Sequence, residues 1–407
     1  MNLKLRLIIM QFLEFFIWGS WLISLGNYMG NLDMGDHIGP LFATAGFAAI
    51  IMPAIVGIIA DRWLNSEKLL GILHLLGACC LFMASKTGAN FNELYLYIFL
   101  NALVFMPTIG LSYSVCYSIM ANRKMDTLND FPPIRTWGTV GFIVAMWIVS
   151  LAGWELSANQ LVLASASALV LGVYSFTLPP SPPTKVKKGS SLISTLGLDA
   201  VVLLKQRKMA IFFLFSVLLG VCLQITNSFG SLFLSSFRTN YEHSFAVLHA
   251  NIILSISQIS EALFILAIPF FMRRFGIKTV ILMSFGAWVL RFGLFGFGNP
   301  TTGLIWLILS MIVYGMAFDF FNISGSLFIE KETPPKFRAS AQGLFMMVTN
   351  GLGAVIGNYS AQAVINYHTN GKETDWPTCW FIFAGYALVI GILFALCFRY
   401  KTVPART

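Results

Sequence analysis

Two stretches decide how this 407-residue chain folds: GIIADRWLNSEKLL at 57–70 and PFFMRRFGIKTVIL at 269–282. Each is a short basic turn between two apolar runs, and each run is close to the roughly 20 residues a helix needs to cross a bilayer. The first turn is the second connection of the chain and the other is the eighth, so they occupy equivalent places in two halves. A duplicated membrane unit of this kind predicts a pseudo-twofold repeat.

Outward from these turns, apolar runs recur along the whole length, at 5–29, 40–60, 69–85, 94–121, 135–153, 159–178, 209–236, 246–272, 279–298, 303–329, 339–366 and 378–398. Hydrophobic residues make up 57% of the chain and charged ones 11%; soluble domains carry about 25% charged residues. Mean hydropathy is +0.77. The expected fold is therefore an all-α integral membrane protein of twelve transmembrane helices. The first run carries Glu14, and no small-residue cleavage site follows it, so it reads as a retained helix rather than a signal peptide. LPPSPPTKVKKGSS, with KQRK after it, is too rich in proline and lysine to enter hydrocarbon. It divides the chain into a six-helix bundle at 1–178, a cytoplasmic linker at 179–208 and a second six-helix bundle at 209–407. SLISTLGLDAVVLL inside the linker reads either as a short helix on the membrane surface or as plain linker.

A net charge of +9 would suit a nucleic-acid binder, but its distribution does not. With both termini placed in the cytoplasm, 21 Lys and Arg fall on that side and 3, Lys86, Arg238 and Lys372, on the other. That bias is the positive-inside signature of topology. All six cysteines lie in apolar segments, without CxxC spacing or a nearby histidine, so they read as packing residues and no cofactor or metal is expected.

An ionisable group at bilayer depth costs at least about 2.5 kcal/mol, which makes each one a functional candidate. Five qualify: Glu14, Arg135, Glu261, Arg291 and Asp319. Glu14 reads equally as a structural acceptor between helices, and Arg291 equally as a snorkelling or ion-pairing arginine. His74 lies well inside a span and reads as a packed helix histidine before a proton relay. Arg135, Thr139 and Phe142 share one face of the fifth helix at i, i+4, i+7. Gln224 and Asn227 stand at i, i+3 on the seventh, and Gln258 and Glu261 do the same on the eighth. Tyr314, Phe318 and Phe321 form a row on the tenth, with Asp319 and Asn322 beside it. Each set alone fits ordinary helix packing. Together, at similar depth, they suit a ligand with a flat ring and several hydroxyls; a nucleoside is such a ligand, and a sugar would use most of the same groups.

GIIADRW resembles the Gly-x-x-x-Asp-Arg turn of the major facilitator superfamily, in which one acid beside basic residues locks neighbouring helices. Longer stretches are more specific: WGSWLISLGNYM (18–29), DFPPIRTWGTVGFIVAMWIVSL (130–151), QITNSFG (224–230), SISQISE (255–261), SMIVYGMAFDFFNISGS (310–326) and RASAQGLF (338–345). They resemble the nucleoside:proton symporters of that superfamily, nearly end to end. The resemblance implies the major facilitator fold with two pseudo-symmetric six-helix halves, alternating access, and nucleoside uptake driven by protons across a bacterial inner membrane. It also implies a nucleoside site at mid-membrane between the halves, drawing on Arg135, Thr139, Phe142, Gln224, Asn227, Gln258, Glu261, Tyr314 and Phe318. The proton would be carried by Asp319 or Glu261. The expected partners are nucleosides, protons and lipid, with no nucleic acid and a monomeric state; the preferred base stays open. A sugar symporter would keep the fold and change the ligand. A membrane enzyme would need a paired nucleophile and base or a metal cluster, and no such pattern is present in the sequence.

Overall fold

In hydrocarbon every backbone N–H and C=O must be satisfied within the protein, and apolar runs of about 20 residues do so as helices. The computed structural model describes residues 2–183, 198–371 and 373–400. They divide into two units, Met1–Thr195 and Leu196–Thr407. Of the basic linker, Lys185, Lys187 and Lys188 lie outside the described residues, as does the first half of its candidate surface helix. The described remainder of that segment is a 3-10 helix, Leu198–Lys205.

The first unit comprises α1 (Leu3–Gly19), α2 (Leu25–Asn31), α3 (Ile38–Arg62), α4 (Ser66–Ala84), α5 (Phe91–Asn122), α6 (Thr127–Leu151) and α7 (Asn159–Ser175). The expected span 5–29 is interrupted between α1 and α2. The Ser20 hydroxyl bonds back to the Phe16 carbonyl at 2.7 Å, and Ser24 donates to Gln160 of α7 at 2.8 Å. The first of these is a local side-chain bond of the kind that bends a helix. α1 runs along α6 with almost nothing between the backbones: a methyl group added at Gly141 would lie 2.2 Å from the Phe12 carbonyl oxygen, and one at Gly19 2.5 Å from that of Phe142. Glycine permits this approach because it has no Cβ. In the turn at 57–70, the tying carboxylate is Glu67 rather than the exposed Asp61. Buried Glu67 accepts from the Ser181 N–H at 2.8 Å and from Asn65 at 3.1 Å.

The second unit comprises α8 (Arg207–Ser236), α9 (Phe245–Leu248), α10 (Ala250–Phe297), α11 (Leu304–Glu332), α12 (Arg338–Met346), α13 (Ala354–Tyr367) and α14 (Trp376–Cys397). The expected spans 246–272 and 279–298 meet directly at Gly276 instead of across a loop. Its φ of 74° lies where only glycine sits without strain. The expected span 339–366 contains a π-helical segment, Met347–Gly353. There α8 comes so close that a methyl group on Gly220 would lie 2.4 Å from the Thr349 carbonyl oxygen. The core is aromatic: Phe233, Phe295 and Trp380 pack with ring centroids 4.6 to 5.5 Å apart. Leu263, Leu266 and Phe270 stay exposed, as lipid contact allows.

Among the described residues, 8 helices are long and apolar enough to cross a membrane. α10 supplies two passes; α1 with α2, the short α7, and α12 with α13 complete the twelve expected.

Candidate functional site

Arg135 is the centre of the polar face on α6. Its Nε donates to the Tyr113 hydroxyl of α5 at 2.5 Å, and its guanidinium lies 4.2 Å from the centre of the Phe15 ring on α1. Gly138, one turn along, leaves room for Phe15 to reach it. Thr139 is half-buried on the same face. Buried Phe142 meets Trp18 edge to face at 6.2 Å. Beside this cluster an open groove of about 480 Å³ runs along α5, lined by Tyr113, Ser114, Tyr117 and Ser118. Arg135 thus holds a hydroxyl that borders open space.

In the second unit, Gln224 and Asn227 on α8 and Gln258 and Glu261 on α10 are all half-buried. The serine and threonine hydroxyls between and around them, Thr226, Ser228, Ser257 and Ser260, are buried. The predicted amide and carboxylate groups therefore occupy the open side of each helix. α11 passes α10 at Gly315, where an added methyl would lie 2.5 Å from the Ser260 carbonyl oxygen. That contact sets Tyr314 beside the Ser260–Glu261 backbone. Tyr314 and Phe318 stack nearly parallel, 5.8 Å apart at 11°. Phe321 departs from the expected row: it is 1% exposed and packs on Phe212 and Phe345, in the core. Asp319 is buried beside the aromatic pair.

Arg291 does not snorkel. Its guanidinium is buried, donates to Thr226 at 3.1 Å, Ser257 at 3.3 Å and the Ser310 carbonyl at 3.0 Å, and covers the Tyr314 ring at 4.4 Å.

A family model described as Nucleoside H+ symporter matches residues 1–403. The chain belongs to the nucleoside:proton symporter family. Nucleoside permease NupG of Escherichia coli K12 is 51% identical over 413 residues, covering 100% of this chain and 98% of that protein. Xanthosine permease of the same organism is 51% identical over 411 residues, with the same coverages. The crystal structure of nucleoside transporter NupG matches with a TM-score of 0.93 at 51% identity, over 98% of this chain and 100% of that one. The fold is that of the major facilitator superfamily. The protein is a multi-pass membrane carrier importing nucleosides with protons, not an enzyme.

Two residues of this symporter lie at the candidate site without having been singled out for it from sequence. Tyr113 carries no signal beyond standing four residues before Tyr117 on α5, and phenol groups are common in such helices. Trp288 of α10 meets Tyr314 of α11 edge to face at 6.0 Å, a contact between helices that the spacing of residues within either one does not signal.

Proposed function

We propose that the nucleoside is held by two sets of side chains, one on each unit. Gln224, Asn227, Gln258 and Glu261 hydrogen-bond the base edge and the ribose hydroxyls. Tyr314 and Phe318 pack the base, with Phe142, Arg135 and Thr139 supplying an aromatic face and a polar wall from the first unit. The supporting observation is the parallel Tyr314–Phe318 pair, held from behind by Arg291, with the half-buried Glu261 of α10 within electrostatic reach of Tyr314. Flat rings offset in this way are good partners for another ring. A carboxylate, Asp319 or Glu261, carries the proton: neutralising it removes a charge that hydrocarbon disfavours and so biases the carrier toward one conformation over the other. The carrier works as a monomer in a bacterial inner membrane, with both termini cytoplasmic, as the 21-to-3 distribution of Lys and Arg supports. Uptake into proteoliposomes with an imposed pH gradient, run against a panel of purine and pyrimidine nucleosides, tests this reading and names the preferred base. Failure of every nucleoside to accumulate, with a sugar accumulating instead, would refute it.

A further inference from the structure

Glu14 and His74 are 0% and 2% exposed, the most deeply buried acid and imidazole of the first unit. His74 Nε2 lies 2.7 Å from Glu14 Oε2, and the Thr108 Oγ1 lies 2.6 Å from the other carboxylate oxygen. Three helices, α4, α1 and α5, thus meet at one carboxyl group. The Thr108 hydroxyl is also 2.7 Å from the Phe105 carbonyl oxygen, yet it has a single hydrogen. When Glu14 is ionised, Thr108 donates to it. When Glu14 is protonated, its own O–H can donate to Thr108, whose hydrogen turns to Phe105. The hydroxyl therefore completes the hydrogen bonding of both protonation states, without any movement of the backbone.

We propose that the Glu14–His74 pair, closed by Thr108, is a proton-binding site of this carrier in its first unit, apart from Asp319 and Glu261. Charge arithmetic favours one shared proton. With it the pair is neutral, as a salt bridge or as acid and imidazole; without it a net negative charge remains in a site closed to water. Other ionisable groups on the packed helices decide how that charge is tolerated. Tyr113 lies within electrostatic reach of both Glu14 and Arg135. Arg135 of α6 rests on the ring of Phe15, the residue after Glu14. Cys116 of α5 is occupied by Gln11 at 3.6 Å, and Tyr174 of α7 donates to the Arg6 carbonyl at 3.2 Å. α3 carries no ionisable side chain within its span before Asp61. Arg135 is bound to the Tyr113 hydroxyl and rests on Phe15, the neighbour of Glu14 in sequence. On this proposal the link to the solute runs through α1: a solute that moves Arg135 acts on Phe15, the residue after Glu14.

The inference rests on proton-driven uptake by the wild-type carrier, which is measured first and separately. Glu14→Gln and His74→Gln are then compared with wild type in two assays on proteoliposomes. Exchange of labelled for unlabelled nucleoside at equal pH needs no net proton movement; accumulation driven by a pH gradient does. The expected result is retained exchange with accumulation reduced roughly tenfold, within the usual range for coupling between sites. Wild-type accumulation in both variants overturns the proposal. If either variant fails to fold, Thr108→Val decides: a shifted pH profile of uptake supports the proton site, and an unchanged profile overturns it.

Discussion

The guanidinium of Arg291 lies over the ring of Tyr314, 4.4 Å from its centre, and donates to the Thr226 and Ser257 hydroxyls and the Ser310 carbonyl. A desolvated cation–π contact contributes about 2 kcal/mol. Its larger effect is geometric, because it fixes the plane of a ring against which Phe318 is stacked. Arg291→Lys keeps the charge and loses the planar fork. We expect nucleoside affinity to fall by roughly tenfold, about 1.4 kcal/mol, on titration of the purified variant. Unchanged affinity would show that the ring is held by packing alone.

Gln258 and Phe318 separate the polar from the aromatic contribution. Gln258→Ala should weaken nucleoside binding by about 1–3 kcal/mol, because a desolvated polar group on the ligand loses its partner. Phe318→Ala should weaken it through lost ring contact. Calorimetric titration of both variants reads each term, and near-normal values in both would assign these faces to packing.

Asp319 and Glu261 should part ways. If each residue of the helix turns by about 100°, Asp319 stands roughly 140° around α11 from Tyr314, and it is buried. Glu261 is half-buried one turn from Gln258. Asp319→Asn mimics a permanently protonated group and should bind nucleoside while losing gradient-driven accumulation. Glu261→Gln should lose affinity first, because an acceptor becomes an amide with mismatched donors. The reverse pattern, in binding isotherms and vesicle uptake, would make Glu261 the proton carrier.

Gly141→Ala and Gly315→Ala place a methyl group 2.2 Å and 2.5 Å from a carbonyl oxygen of the neighbouring helix. Neither contact is with a flexible side-chain tip, so the helices themselves must part. Overpacking of this sort costs about 1–3 kcal/mol. A lowered thermal midpoint in detergent for both variants is the expected outcome, with Gly286→Ala, which meets no atom within 4 Å, as the control.

The spans were legible because solvent decides them: a run that lipid tolerates is apolar throughout, and the eye needs no partner to see it. Helix faces were legible for the same reason, since Arg135, Thr139 and Phe142 share a side whatever they meet. Breaks were not. At the gap between α1 and α2, Ser24 reaches Gln160, 136 positions away, a partner no local pattern announces. The direct join at Gly276 depends on one left-handed residue, and turns of that kind look like any short basic loop. Arg291 and Glu14 were ambiguous for a further reason: whether a charged side chain escapes to the membrane surface or is satisfied inside depends on which hydroxyls surround it. Thr226, Ser257 and Thr108 supplied that answer only once the helices were assembled.

The glycine seam between α1 and α6 has a mechanical consequence. At Gly19 and Gly141 a carbonyl oxygen of the neighbouring helix sits where a side chain would otherwise stand, so at these two points there is no layer of rotamers to slip. A compliant joint needs such a layer, because side chains absorb shear by changing wells while backbones do not. The two helices consequently behave as one beam. A tilt of α6 that carries Arg135 toward or away from a solute therefore bears directly on the backbone of α1, the helix that carries Glu14.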